Sequence, residues 1–113
     1  MIKIYGIPNC DTMKKALKWL DKNNLKYEFH DYKKLGVPEN NLKSWVKTAG
    51  WEIILNKRGT TWRKLDENIK NNINDTSSIQ VMLDNPSAIK RPVLESGKIL
   101  IVGFKEEEYK TLL

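Results

Sequence analysis

The chain has 113 residues, of which 40% are hydrophobic and 30% are charged, a balance that is typical of one folded, soluble domain and excludes a disordered chain. No apolar run approaches the roughly 20 residues of a membrane-spanning helix, and the first residues lack the apolar stretch of a signal peptide, so we expect a cytoplasmic protein that does not bind membranes. The net charge of +6 comes from twenty basic residues, of which three are arginine, against fourteen acidic ones, and this lysine-rich excess does not point to nucleic acid as a partner.

The first thirty residues predict a strand, a helix and a second strand. Residues 2–5 form a short apolar-rich run that ends at Gly6, as a strand does before a breaker. From Asp11 onward the apolar residues recur at helical spacing, and the asparagine pair at 23–24 closes this helix. Residues 26–31 return to the alternation of a strand. A strand–helix–strand unit of this kind builds a pair of parallel strands.

The middle of the chain predicts helices only. Pro38 belongs in the first turn of a helix that carries an apolar stripe. Shorter helical pieces are expected over residues 51–55 and 61–73. Ser77 or Ser78 is expected to cap the last helix of this block.

The C-terminal part predicts a hairpin followed by a helix. The hairpin has a strand at 93–94, a turn at 95–97 and a second strand at 98–102. Residues 104–113 begin with three glutamates and have a lysine near the end, a charge order that suits a helix dipole.

Together these elements have the order β-α-β, a block of helices, then β-β-α. This order predicts an α/β domain with a thioredoxin-like fold, in which a small mixed β-sheet is interrupted by a helical insertion at about residues 37–88. We therefore expect a single domain over residues 1–113.

Cys10 is the one cysteine of the chain, and His30 is the one histidine. This count excludes an internal disulfide, a four-cysteine zinc site and a CxxC pair, and it leaves almost no room for a zinc site of mixed ligands. We expect neither a metal nor a bound cofactor. Where a CxxC motif holds its second cysteine the chain has Met13, so an outside thiol has to resolve any oxidised Cys10. Glutathione is the abundant choice, and a protein thiol is the alternative.

Cys10 is predicted at the junction between the first strand and the first helix. A sulfur there meets unpaired helix N–H groups and the positive end of the helix dipole, which lower a thiol pKa and favour the nucleophilic thiolate. Lys14 and Lys15, in the next turn, are expected to add positive potential. The alternative is a buried, inert cysteine. Because strand-to-helix junctions in α/β folds are exposed and gather ligands, the position favours a reactive thiol.

Two arginine segments are further candidates. Arg91 precedes Pro92, which is predicted to open a strand, and its guanidinium suits an anionic substrate or a thiolate; a surface arginine before an edge strand is the alternative. Arg58 lies in a loop with a glycine and two hydroxyls, which suits an oxyanion. In the alternative reading of this loop, Thr60 or Thr61 caps a helix.

The remaining distinctive side chains are predicted to be structural. His30 alternates with Glu28 on the second strand, far in sequence from Cys10, and is interpreted as a structural histidine rather than a general base. The four tryptophans are interpreted as packing residues rather than stacking platforms. No glycine-rich phosphate loop is present.

Five stretches spread over nearly the whole chain resemble the arsenate reductase (ArsC) family, most closely its YffB-like branch, which is related to Spx. They are IYGIPNCDTMKKALKWL, FHDYKK, LNKRGTTWRKLDE, NPSAIKRPVL and ILIVGFKEEEY. The resemblance implies a thioredoxin-like fold with a helical insertion and a nucleophilic cysteine at Cys10. It also implies that Arg91 lies near this cysteine, before a cis-proline at Pro92, and that Arg58 faces the site.

The chain departs from two branches of this family. Arsenate reductases linked to glutathione and glutaredoxin carry a histidine where this chain has Gly6, and they hold the oxyanion with three arginines. Only Arg91 matches these arginines, because the other two positions fall near Asn56 and Gly103. Spx-like regulators usually carry a CxxC motif and a longer C-terminal tail.

The sequence therefore predicts a monomeric thiol reductase that uses glutathione or a glutaredoxin-type thiol donor as co-substrate and acts on a small oxyanion or disulfide. The alternatives are a non-enzymatic Spx-like module that binds a transcription or other partner, and a genuine arsenate reductase. The predicted catalytic residues are Cys10 and Arg91, and the predicted substrate- or glutathione-binding residues are Asn9, Asp11, Thr12, Arg58 and Pro92.

Overall fold

The computed structural model describes all 113 residues, and the predicted order of elements is confirmed. Along the chain the elements are β1 (Ile2–Gly6), α1 (Asp11–Lys22), β2 (Tyr27–Asp31), α2 (Tyr32–Leu35), α3 (Glu39–Ala49), α4 (Trp51–Ile54), α5 (Thr60–Lys64), α6 (Glu67–Asn71), α7 (Asp75–Asp84), a 3-10 helix (Pro86–Ala88), β3 (Val93–Ser96), β4 (Ile99–Val102), α8 (Glu106–Tyr109) and a second 3-10 helix (Lys110–Leu112). They group into two compact units, residues 1–36 with 91–113 and residues 37–90. None of the helices has the length and apolar character that crossing a bilayer requires.

The first unit contains a mixed sheet of four strands in the order β2-β1-β3-β4. β1 is parallel to β2 and antiparallel to β3, and β4 pairs antiparallel with β3. The buried core of this unit consists of Ile2, Ile4, Met13, Ala16, Leu20, Leu94, Ile101 and Tyr109. Burial of a large apolar side chain contributes about 1.5–3 kcal/mol, so the apolar stripe of α1 holds this helix firmly against the sheet. The first turn of α1 is thereby fixed at the end of β1.

The second unit is helical. Within it α3 packs against α4 and α7, and its connections are held by backbone hydrogen bonds. The Asn56 N–H donates to the Ala88 carbonyl at 2.8 Å, and the Lys90 N–H donates to the Ile54 carbonyl at 2.7 Å. These bonds join the segment that follows α4 to the segment that follows α7.

The helix caps of the second unit differ from the sequence predictions. The prediction that Ser77 or Ser78 caps α7 was wrong, because Asn74 is the cap and forms a capping box with Ser77. The Ser77 N–H donates to Asn74 Oδ1, and the Asn74 N–H donates to Ser77 Oγ, both at 2.9 Å. Two initial N–H groups are satisfied in this way, and the helix begins before the serines. Pro38 likewise caps α3 instead of lying in its first turn.

The hairpin and the C-terminal segment also differ from their predicted bounds. The helix predicted over residues 104–113 is divided into α8 (Glu106–Tyr109) and a 3-10 helix (Lys110–Leu112). Glu95 and Ser96 belong to β3, and the turn is made by Gly97 and Lys98. Gly97 has a φ of +58°, which a two-residue hairpin turn requires and glycine adopts without steric cost. The short helix α2, directly after β2, was not predicted; Asp31 caps it by accepting the Lys33 N–H at 2.8 Å.

Candidate thiolate site

The junction of β1 and α1 places Cys10 at the start of the helix. Cys10 is the N-cap residue of α1, with extended backbone angles (φ −143°, ψ 127°), and its carbonyl accepts the Lys14 N–H at 3.0 Å. The neutral side chain makes no capping hydrogen bond, since a thiol is a weak acceptor. The first N–H groups of α1 therefore remain available to a thiolate.

The pKa of Cys10 is lowered from its ordinary value. Partial burial is the largest single influence and acts in the opposite direction, because it disfavours the charged form. It is outweighed by hydrogen bonds that the thiolate accepts, first from the Met13 backbone N–H, then from the Arg91 side chain, then from the Thr12 backbone N–H. The positive charge of Arg91 adds to this effect. The site therefore favours the thiolate, which is the nucleophilic form of cysteine.

Arg91 reaches Cys10 because of the way β3 pairs with β1. Tyr5 near the end of β1 pairs with Val93 at the start of β3, so the residues just before β3 lie at the same end of the sheet as Cys10. Arg91 is half-buried, and the bond between Arg91 and Pro92 is cis, as the resemblance implies. Since β3 lies between β1 and β4, the alternative of an arginine before an edge strand was wrong.

The other residues of the Cys10 loop contribute in different ways. Asn9 and Asp11 are exposed on either side of the cysteine, and Thr12 is half-buried with its N–H directed to the thiolate. Lys14 and Lys15 are exposed and are not among the groups that shift the pKa of Cys10. The expectation that these lysines activate the cysteine was therefore wrong, because exposed charges are screened by solvent.

Arg58 belongs to the second unit, where its backbone N–H donates to Asn56 Oδ1 at 3.2 Å. Its side chain is exposed. The prediction that Thr60 or Thr61 caps the following helix was wrong, because Gly59 is the cap of α5. Cys10, Thr12 and Arg91 interact directly, and Arg58 belongs to the unit of residues 37–90.

His30 has structural contacts, as predicted. Its Nε2 lies 2.8 Å from the Gly36 carbonyl oxygen, and because a carbonyl only accepts, Nε2 is the protonated nitrogen. The ring also contacts Tyr5 at a centroid distance of 5.2 Å and Tyr32 at 6.0 Å. No group of three or more histidine, cysteine, aspartate or glutamate side chains is placed to hold a metal ion.

The tryptophans pack against other side chains. Trp19 meets the ring of Tyr109 edge to face at 5.6 Å, and Trp45 is almost completely buried. Trp51 and Trp62 lie 6.3 Å apart, with the Lys57 ammonium 4.8 Å from the first ring and 6.0 Å from the second. Their predicted packing role is confirmed.

Gly6 makes a close contact with Met13 that was not predicted from the sequence. A Cβ atom at Gly6 would lie 2.5 Å from Met13 Sδ, so Gly6 is needed for the close packing of this side chain and does more than end a strand. The available signal was the glycine at the end of β1, which often marks a close approach.

Comparison with known proteins gives one matching family and relatives over the full length of the chain. The model of the ArsC family matches residues 5–112. An uncharacterised protein of Haemophilus influenzae is 50% identical over 111 residues, which are 97% of this chain and 96% of that protein. The global transcriptional regulator Spx of Streptococcus pyogenes is 26% identical over 115 residues, covering 100% of this chain and 85% of the regulator.

Solved structures show the same architecture. The structure of the YFFB protein is 48% identical, has a TM-score of 0.94, and covers 98% of this chain and 97% of that chain. An arsenate reductase (ArsC) related protein from Brucella melitensis is 49% identical, with a TM-score of 0.79 and coverage of 97% of this chain and 92% of that chain. The predicted thioredoxin-like α/β fold is confirmed by these likenesses.

Proposed function

Because the chain belongs to the ArsC family, we propose that it is a thiol oxidoreductase, and more specifically a glutathione-dependent thiol reductase with Cys10 as its nucleophile. The observation that supports this proposal is the lowered pKa of Cys10, caused by the N–H groups of α1 and by Arg91. Burial alone raises the pKa of a cysteine that only fills space in a core. The lowered pKa of Cys10 therefore distinguishes it from such a cysteine.

In the first step, the Cys10 thiolate attacks the glutathionyl sulfur of a mixed disulfide between glutathione and another thiol. A disulfide forms between Cys10 and glutathione, and the other sulfur leaves as a thiolate that takes a proton from water. The leaving sulfur is reduced and the Cys10 sulfur is oxidised. The exchange needs no acid or base from the protein, because both the attacking and the leaving sulfur are thiolates.

In the second step, the thiolate of another glutathione attacks the glutathionyl sulfur on Cys10. Oxidised glutathione is released, and Cys10 leaves as a thiolate. The groups that lower its pKa also make it a good leaving group, so Arg91 and the Met13 N–H serve both steps. Since Met13 takes the place of a second cysteine, the donor has to be an outside thiol.

The remaining predicted residues are proposed to bind glutathione or the substrate. Asn9 and Asp11 are exposed beside Cys10 and suit the amide and amino groups of glutathione. Pro92 is proposed to border the bound sulfur. The exposed guanidinium of Arg58 suits a glutathione carboxylate, an assignment that follows from the resemblance of its KRGTTWRKL segment to the family.

The experiment that tests the proposal is turnover of the mixed disulfide of glutathione and 2-mercaptoethanol, with glutathione as donor. We expect the wild-type protein to release oxidised glutathione and Cys10→Ser to lose at least about a hundredfold in rate. An unchanged circular dichroism spectrum of Cys10→Ser serves as the control for folding. Retained turnover in this variant, or no turnover by the wild-type protein, overturns the proposal.

The likeness to Spx over the whole chain favours a second candidate, a module that binds a transcription or other protein partner without catalysis. It predicts a partner that is captured equally well by the wild-type protein and by Cys10→Ser. Loss of capture in this variant contradicts it.

The resemblance to arsenate reductases supports a third candidate, in which two thiols supply the two electrons that reduce arsenate to arsenite. This candidate predicts arsenite release in the presence of glutathione and glutaredoxin. Absence of that product at millimolar arsenate removes it.

A further inference from the structure

A groove in the first unit combines lysines with exposed parts of an aromatic cluster, and the proposed chemistry uses none of its residues. It has a volume of about 400 Å³. We call it the lysine groove and define it by Lys15, Lys18, Trp19, Lys22, Phe104 and Glu106.

The spacing of α1 builds one side of this groove. Lys15, Lys18 and Lys22 stand at positions i, i+3 and i+7, with Trp19 at i+4, and residues so spaced share one face of a helix. The three lysines are exposed. The ion pairs of the chain join other lysines, in α3, after α4 and in α6. The lysine groove therefore carries positive charges that no carboxylate of the chain neutralises by direct contact.

The floor of the lysine groove is aromatic and rigid. The rings of Trp19 and Phe104 both pack edge to face on the fully buried Tyr109, at centroid distances of 5.6 Å and 4.7 Å. Trp19 and Phe104 are themselves only half-buried. Part of each ring therefore remains available to an apolar side chain from outside, and such fixed aromatic residues are typical anchors of protein interfaces.

We propose that the lysine groove is a docking surface for an acidic polypeptide segment that carries one apolar side chain. Carboxylates of the segment pair with the three lysines, and its apolar side chain lies on Trp19 and Phe104. This complementarity of charge and apolar surface is the kind that selects protein partners. The segment docks along α1, whose N-cap is Cys10, at about 8 to 18 Å from this residue for a rise of about 1.5 Å per residue.

The charge pattern favours a peptide over nucleic acid. Glu106, an exposed residue that also lines the lysine groove, is opposite in charge to the lysines. A phosphate backbone is uniformly negative and meets repulsion there, whereas an acidic peptide with a single basic residue satisfies both signs. The groove also contains no arginine, the residue that most often forms paired hydrogen bonds with phosphate.

The test uses a fluorescein-labelled peptide with the sequence Glu-Asp-Glu-Phe-Glu-Asp-Lys, measured by fluorescence anisotropy. We expect saturable binding that weakens about tenfold or more when salt is raised from 20 to 300 mM, because exposed charges are screened. Lys18→Glu is expected to weaken binding about tenfold or more. This exposed substitution preserves the helix, since the new carboxylate pairs with Lys14 and Lys22 at i−4 and i+4.

The matched control is Lys47→Glu, which makes the same charge change at an exposed position of α3 and is expected to change affinity less than about twofold. Cys10→Ser is expected to bind like the wild-type protein, so failure of the proposed chemistry and failure of docking are separate results. The proposal is overturned if Lys18→Glu and Lys47→Glu lose equal affinity, or if the peptide shows no saturable binding. It is also overturned if a ten-nucleotide single-stranded DNA binds more tightly than the peptide.

Discussion

A methyl group built on Gly6 would lie 2.5 Å from the sulfur of Met13. Met13 is fully buried and stands three residues after Cys10, so its side chain fills the space beside β1. Position 6 carries a histidine in the arsenate reductases that the chain resembles, and position 13 is where a CxxC motif holds its second cysteine. Met13 and a side chain at position 6 would therefore compete for the same volume.

This contact predicts that Gly6→Ala destabilises the protein. The Gly6 backbone has no positive φ, so alanine suits its conformation and the cost is steric. The nearest atoms belong to the flexible thioether end of Met13, which can shift, so we expect the free energy of unfolding to fall by an amount at the low end of the about 1–3 kcal/mol that overpacking costs. Urea unfolding followed by circular dichroism measures the change, and an unchanged midpoint contradicts the close packing.

A double-mutant cycle assigns this cost to Met13. Met13→Ala alone removes buried volume and is expected to lower the free energy of unfolding by about 2–5 kcal/mol. In the double variant the new methyl group at position 6 has room. The double variant is therefore expected to lose less free energy of unfolding than the two single variants lose when their losses are added. Additivity within about 0.5 kcal/mol would show that the two residues do not compete.

Met13→Cys is expected to convert the site to an internal dithiol. The two sulfurs would then lie three residues apart in the first turn of α1, the arrangement of Cys-X-X-Cys motifs. After oxidation the variant should lose about 2 Da and resist alkylation until it is reduced. Mass spectrometry checks this, with the wild-type protein as control because it has a single thiol. A variant that keeps both thiols open to alkylation after oxidation contradicts the expectation.

The sequence predicts the elements around Cys10 well because their signals are local. The apolar stripe of α1 and the alternation of β1 need no knowledge of the rest of the chain, and they place the cysteine at the strand-to-helix junction. The effect of Arg91 on Cys10 depends on the pairing of β1 with β3, a contact across about eighty residues of sequence. Position alone left Arg91 undecided for this reason, and only the family resemblance pointed to it.

The caps and turns were less predictable because several polar residues compete at each boundary. Ser77 and Asn74 are both good caps, and the choice of Asn74 depends on reciprocal hydrogen bonds that a single-residue preference does not contain. The short helix α2 has only four residues, too few for a periodic pattern. The glycine at the end of β1 signals a close approach, but its partner Met13 depends on side-chain volume and packing, which the sequence pattern does not give.

The capping box of α7 predicts a measurable loss of stability. Asn74→Ala removes the acceptor for the Ser77 N–H, and it is expected to lower the free energy of unfolding by about 1 kcal/mol. Asn74→Asp keeps an acceptor oxygen and is the matched control, with little expected change. Equal losses in the two variants would show that the capping bond contributes nothing measurable.

Arg91 is expected to control the reactivity of Cys10. The rate of iodoacetamide alkylation follows the thiolate fraction, so its pH dependence reports the pKa of Cys10. The wild-type midpoint should lie below the ordinary value for a cysteine, because the Met13 N–H, Arg91 and the Thr12 N–H outweigh burial. Arg91→Ala should move the midpoint upward, and Arg91→Lys should move it less because the positive charge is kept. A midpoint that does not respond to Arg91→Ala assigns the shift to the helix N–H groups alone.

The same pKa shift links stability to pH. The folded protein holds Cys10 as a thiolate at a pH where the unfolded chain still holds a thiol, so the unfolded state binds more protons between the two pKa values. The free energy of unfolding, relative to Cys10→Ser, should therefore rise with pH above the folded pKa and level off once the unfolded thiol ionises at about 8.5. It should be constant below the folded pKa, where both states are protonated.

Urea midpoints of the two proteins between pH 5 and about pH 9.5 measure this difference. A difference that falls as pH rises would mean that burial outweighs the N–H groups and Arg91, and that Cys10 is held as a neutral thiol.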